Sequence, residues 1–182
     1  MPVLIVSVAA FAAGELLQAL RVRRGAARVN LRAELVFRAL FFAAILCLPV
    51  GRALAPFAAI GGPWVFAVGA VIGWLGLLLR WWSFVSLGRL FTVVVMTSAD
   101  QTIVDRGPYR VLRHPSYTGL LLAFAGVGLM VGNWIGATGA VGLLLIALLY
   151  RIRIEERALT AALGGRYREY AKDRARLVPY VW

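Results

Sequence analysis

Five apolar blocks, at about residues 3–20, 35–55, 64–85, 115–131 and 134–150, decide which solvent this chain can fold in. A helix needs roughly 17–25 largely apolar residues to cross the hydrocarbon core of a bilayer, and the blocks run close to that length. A soluble domain of 182 residues has no use for so much apolar surface. The hydrophobic fraction is 62% and the charged fraction 15%, whereas about 45–50% apolar is usual in soluble domains. Lipid must therefore solvate part of the chain. The fold class expected is all-α: one polytopic membrane domain over residues 1–182, with about five transmembrane helices and a small polar region outside the bilayer.

The first block carries Ser7, Glu15 and Gln18. A signal peptide fits it poorly, because no basic n-region precedes it and the basic cluster follows. Glu15 is an ionisable residue near the end of a span, so it either reaches the interface or faces a ligand. Arg21, Arg23, Arg24, Arg28 and Arg32 make a basic loop before the second block. Gly61-Gly62-Pro63 breaks the chain before the third, where Gly69 and Gly73 allow another helix to approach and Trp81 and Trp82 mark an interface belt. Blocks four and five, joined by Gly132-Asn133-Trp134, must be antiparallel neighbours, with Gly126, Gly128, Gly136 and Gly139 available for close packing. The chain thus divides into three N-terminal spans (1–85), a polar segment (86–116), a helical hairpin (117–150) and a polar tail (151–182).

The formal charge of +12 does not point to nucleic acid, because the arginines fall between apolar blocks rather than along one basic face. It reads as topology. The loop after the first span carries five basic residues, the 80–113 interval five and the tail from Arg151 eight, while the opposite side has only Arg52. Five alternating spans then place the N-terminus outside and the C-terminus in the cytoplasm of a multi-pass protein of the cell (inner or plasma) membrane. Segments 86–116 and 151–182 share that cytoplasmic face. The lone Cys47 reads as packing, which excludes a cysteine-based zinc cluster or disulfide framework, and no metal is expected.

Two polar constellations stand out. In Arg113-His114-Pro115, the proline drives His114 out of the helical region and suits the first turn of the fourth helix. The only histidine thus stands at a helix N-terminus, a corner that favours anions, with Tyr117 one turn on and Tyr109 after the Gly107-Pro108 turn. A helix cap with interfacial aromatics explains the same residues. In Arg151-Ile-Arg-Ile-Glu155-Glu156, Arg151 and Glu155 share a helix face. As a surface ion pair that arrangement contributes only about 0.3–0.5 kcal/mol; at an apolar boundary it can instead hold a charged substrate beside a polar cofactor. Glu156 points about 100° away and reads as a helix-surface residue. The helix should stop at Gly164-Gly165 and a short second helix carry Tyr167 and Tyr170, as an amphipathic surface helix or a lid. Phe91–Met96 and Gln101–Val104 are candidates for a short hairpin.

At Leu87-Gly88-Arg89, at Gln101–Tyr117 in the form x-T-I-V-x-x-G-P-Y-x-x-x-R-H-P-S-Y, and at Arg151-x-x-x-Glu155-Glu156-x-x-Leu159 through Gly165-x-Tyr167-x-x-Tyr170, the chain resembles the isoprenylcysteine carboxyl methyltransferase family of integral-membrane enzymes. The likeness covers about residues 86–180. It implies methyl transfer from S-adenosylmethionine, bound on the cytosolic side, to a lipophilic acceptor entering from the bilayer, such as the carboxylate of an isoprenylcysteine-like or prenylated substrate. By position it puts cofactor contacts on Gln101, Thr102, Ile103, Val104, Tyr109, His114, Pro115, Ser116, Tyr117 and Glu155. The acceptor-binding arginine falls on Arg151, which with Glu155 makes the catalytic pair. The family commonly has histidine where this chain has Gln101.

Other readings remain open at this stage. A phospholipid or amine N-methyltransferase or a thiol S-methyltransferase would share the architecture, with Glu155 or Glu156 as the candidate base. An NADPH-dependent membrane sterol-type reductase shares the Arg-His-Pro-x-Tyr-x-Gly segment, although Gly126-x-Gly128 lacks the strand and third glycine of a dinucleotide fingerprint. A non-enzymatic lipid-binding membrane protein would use neither cofactor.

Overall fold

A computed structural model describes residues 2–20, 31–88 and 103–179. The helices are α1 (Pro2–Leu20), α2 (Leu31–Leu54), α3 (Pro63–Leu87), α4 (Pro115–Val131), α5 (Trp134–Leu163) and α6 (Gly165–Lys172), with single 3-10 turns at Pro56–Ala58 and Gly107–Arg110. Among the described residues there is no strand, only the isolated bridges Ala59–Asn133 and Leu112–Ala175. Three helices, Arg32–Leu54, Pro63–Leu87 and Trp134–Leu163, are long and apolar enough to cross a membrane; Val3–Gly14 and Pro115–Val131 are shorter apolar helices. The hairpin expected from Phe91–Met96 and Gln101–Val104 falls largely outside the described residues, as does the side chain of Glu15.

Turn chemistry sets the helix limits. Pro63 and Pro115 start α3 and α4, where the missing N–H costs no hydrogen bond. Gly164 ends α5 at φ +56, a conformation an L side chain resists, so the stop at Gly164-Gly165 follows from the sequence. Asn133 caps α5: its side-chain oxygen accepts from the Gly136 N–H at 2.8 Å, and its amide donates to the Ala55 carbonyl at 2.7 Å. At the same end, Arg52 donates to the Val131 carbonyl at 2.7 Å, a cation on a helix C-terminus. Asn133→Ala is expected to remove about 1–2 kcal/mol by deleting a cap and orphaning a carbonyl, read as a lowered Tm in detergent.

Helix α3 packs along α4, α2 along α5, and α4 joins the two pairs. Apolar burial drives little association where lipid is the solvent, so backbone proximity matters more. A methyl group at Gly126 would overlap Gly73 of α3, and one at Gly136 would overlap the α2 backbone near Cys47. Gly139 also faces Cys47 of α2, so three of the four glycines expected to close the α4–α5 hairpin serve other seams; Gly128, against Ala137, is the one that closes it. The buried centre is Ala44, Leu48, Leu120, Phe124, Ala140, Leu144 and Leu148. On α3, Val68, Val71, Leu75, Leu78, Trp82 and Val85 are exposed at spacings of three and four, a stripe turned to lipid. Arg80, counted above with the loop arginines, lies on the other side, buried in α3. It donates to both the carbonyl and Oγ of Ser116 at 3.0 Å, pinning the first turn of α4.

Candidate functional site

The end of the bundle opposite Asn133 gathers the first turn of α2, the first turn of α4, the second half of α5 and the tail. Arg151 lies 17 residues beyond Trp134 on α5, or about 26 Å at 1.5 Å per residue. With a hydrocarbon core of about 30 Å, that is the edge of the apolar layer. Yet Arg151 is only 8% exposed, so the surface ion pair anticipated from its spacing to Glu155 is not what forms.

Its Nε donates to the Tyr117 hydroxyl at 2.9 Å, and that hydroxyl donates to Glu155 Oε2 at 2.8 Å. Tyr117 thus stands between arginine and carboxylate as a shared polar bridge. Pro115 dictates this: as the first residue of α4 it places Tyr117 in the first turn, facing α5. The Arg151 guanidinium lies over the Phe37 ring at 4.6 Å, and its Nη1 donates to Glu34 Oε2 at 3.1 Å. Charged groups at such depth persist because each is paired.

His114 caps α4 outside the helical region, as the following proline requires. Its ring stacks on Tyr117 with centroids 5.4 Å apart and planes 8° apart. Nδ1 lies 3.9 Å from Glu155 Oε2 and Nε2 lies 3.3 Å from Glu156 Oε1, so the ring is held between two carboxylates. Glu156 is not the surface residue its helical angle suggested. Arg113 Nη1 donates to it at 2.7 Å and Arg176 Nε at 3.1 Å. An isolated helix hides this, because the partners come from the segment before α4 and from the tail.

The tail runs beside residues 111–114. Arg113 N–H donates to the Ala175 carbonyl, His114 N–H to the Arg176 carbonyl, and Ala175 N–H to the Val111 carbonyl, at 2.8, 3.1 and 3.2 Å. One donor of the anion-favouring corner is thereby taken by the tail itself. Tyr170 Oη donates to the Tyr109 carbonyl at 3.0 Å, and Thr118 Oγ1 to the Leu177 carbonyl at 2.7 Å. Burial pushes the Tyr170 phenol up to about 12, with Arg174 pulling the other way. Burial raises Tyr109 and Tyr167 as well, aided by Glu155 beside the first and Glu156 beside the second. These phenols stay neutral donors across the physiological range.

Of the residues singled out from sequence, Tyr109, His114, Tyr117, Arg151 and Glu155 come together. Pro115 is fully buried, and Ser116 gives its polar atoms to Arg80 on the α3 side. Ile103 and Val104 are half-buried, while Gln101 and Thr102 lie outside the described residues. A second span starting at residue 35 leaves Glu34 outside the residues singled out from sequence. The signal existed: an ionisable residue at the head of an apolar run calls for a partner, as Glu15 does.

A sequence profile described as the Isoprenylcysteine carboxyl methyltransferase (ICMT) family matches residues 68–161. Protein-S-isoprenylcysteine O-methyltransferase A of Arabidopsis thaliana is 32% identical over 120 residues, covering 65% of this chain and 61% of that protein. Methanethiol S-methyltransferase of Mycobacterium tuberculosis is 41% identical over 73 residues, covering 40% of this chain and 28% of that protein. This chain therefore spans less than two thirds of the length of these relatives. Among solved structures, the eukaryotic intramembrane Ras methyltransferase superposes with a TM-score of 0.61 at 24% identity, over 82% of this chain and 51% of that one. That likeness is one of fold.

Proposed function

Because the chain belongs to the isoprenylcysteine carboxyl methyltransferase family, we propose that it transfers a methyl group from S-adenosylmethionine to the carboxylate of a lipophilic, isoprenylcysteine-like acceptor that enters from the bilayer. The observation that carries this reading is the Arg151–Tyr117–Glu155 chain, with its arginine buried, at the edge of the apolar layer. It sets a cation for an anionic acceptor next to a carboxylate for a polar cofactor.

The donor set suits such a cofactor. Glu155 keeps a third of its side chain exposed, enough to accept from hydroxyl or ammonium groups. Tyr167 Oη and Arg113 Nε are buried without a hydrogen-bond partner among the described residues, and both suit a carboxylate. Glu155, Tyr167, Arg113, Tyr109 and His114 are the residues proposed to hold it, with Gln101, Thr102, Ile103, Val104, Pro115, Ser116 and Tyr117 as further contacts. Bound there, S-adenosylmethionine supplies an electrophilic methyl group on a sulfonium. A carboxylate acceptor is already ionised near neutral pH, so the site needs no strong base. What the residues contribute is placement, worth roughly 7–11 kcal/mol when complete, and orienting charges that burial of Arg151 strengthens. The membrane is proposed to be the cell membrane, with the site and C-terminus cytoplasmic.

Thermal shifts of purified protein separate the cofactor classes. Stabilisation by S-adenosylmethionine and not by NADPH is expected; the reverse would indicate a reductase, and no shift with either a non-enzymatic role. Tyr117→Phe should leave the fold in place but cut turnover about tenfold or more, because it removes the hydroxyl that accepts from Arg151 and donates to Glu155. Comparing kcat and Tm with those of the unaltered protein checks this. The mycobacterial relative supports a thiol acceptor as the second reading, for which a base is required and the rate should rise with pH through a single ionisation.

A further inference from the structure

We propose that Glu34 is the resident counter-anion of Arg151: the acceptor's carboxylate displaces it, and Arg38 retains it. The inference rests on the reading of Arg151 as the acceptor's anchor and names what sets that anchor's selectivity.

The two oxygens of Glu34 serve different cations. Oε2 lies 3.1 Å from Arg151 Nη1, between side chains that are each 9% exposed. Oε1 accepts from Arg38 Nε at 2.7 Å, one turn further along α2, and the Arg38 side chain is 58% exposed. One carboxylate thus bridges a buried guanidinium and an exposed one. A buried guanidinium without an anion is costly, by several kcal/mol, so Arg151 needs a partner whenever no acceptor is present. Its Nε is committed to Tyr117 and its Nη1 to Glu34. An arriving carboxylate that takes Nη1 competes with Glu34 there.

Charge decides the exchange. A second carboxylate on the Arg151 guanidinium stands against Glu34 there, and the two like charges repel. The repulsion is relieved if Glu34 gives up Arg151 and stays on Arg38. Its charge is then paired in both states. A neutral acceptor such as a thiol gains nothing from the exchange. Once the carboxylate has become a neutral ester it no longer competes, Glu34 returns to Arg151, and the product is released.

The two partners of Glu34 predict shifts of opposite sign. Glu34→Gln removes the competitor and should lower KM for a farnesylcysteine carboxylate analogue about three- to tenfold, with kcat moving less. Arg38→Gln removes the outer anchor, leaves Glu34 on Arg151, and should raise the same KM about threefold. Neither should change KM for S-adenosylmethionine. Both variants are to be assayed beside the unaltered protein by transfer of labelled methyl, with Tm measured on each preparation. A merely structural Glu34 would lower Tm in both variants and move KM in one direction or not at all, which overturns the inference while leaving the proposed activity intact. If the unaltered protein neither methylates nor binds the carboxylate analogue, the parent reading falls and takes this one with it.

Discussion

Arg151→Ala is expected to lower kcat/KM for the acceptor by about 10²–10³-fold while leaving S-adenosylmethionine binding within about threefold, a loss of roughly 3–4 kcal/mol of transition-state placement. The substitution removes the cation that the proposed acceptor must meet. It also strips partners from Tyr117 and Glu34 and the cation from the Phe37 ring. Breaking a buried pair by deleting one member costs about 3–5 kcal/mol, so a lower Tm should accompany the loss. Arg151→Lys separates charge from geometry. A lysine keeps the charge, but a compact ammonium cannot reproduce the planar fork that reaches Tyr117 and Glu34 together. It should recover stability better than turnover. Calorimetry with the cofactor and single-turnover transfer on the same preparations check both statements; cofactor binding weakened as far as transfer, with acceptor binding unchanged, would exchange the roles of the residues.

Glu156→Ala should have the second largest effect. Its carboxylate receives Arg113 from the segment before α4, Arg176 from the tail, and the His114 ring. Removing it leaves three cationic or polar groups facing one another, at a cost of about 3–5 kcal/mol. The tail beyond Gly164 then keeps the short pairing with residues 111–114 and contacts such as Tyr170 to Tyr109, Thr118 to Leu177 and Arg174 to Asp105. Limited proteolysis in detergent should cut the variant within residues 165–179 much faster than the unaltered protein. Cofactor binding should fall with it, since Tyr167 and Arg113 lose their setting. Equal proteolysis rates would show that the remaining contacts alone hold the tail.

These effects differ in how far they are legible in the sequence. Helix positions are local: the apolar blocks, Pro63 and Pro115 at helix starts, Asn133 as a cap and Gly164 as a stop carry their own reasons. The meeting of the two polar segments follows from counting arginines by side. Partner choice is not local. Glu34 and Arg151 are 117 residues apart, and nothing near either one names the other. Gly126 has the same chemistry whether it faces α3 or α5, so its seam with Gly73 could not be read from spacing. Glu156 reads as exposed on a lone helix and becomes enclosed only once the tail returns across it. The Arg151–Glu155 spacing suggested a direct pair, whereas depth in the bundle brought Tyr117 between them.

In the proposed reaction this bundle places an acceptor carboxylate on Arg151 for methyl transfer. The most direct test is a single-turnover reaction of purified protein with methyl-labelled S-adenosylmethionine and three acceptors: a farnesylcysteine carboxylate analogue, the same molecule with its carboxylate capped as an amide, and a long-chain alkanethiol. Label released as methanol by mild base from the first acceptor alone is the result predicted. Base-stable label on the alkanethiol, or equal labelling of the capped and uncapped analogues, would contradict it.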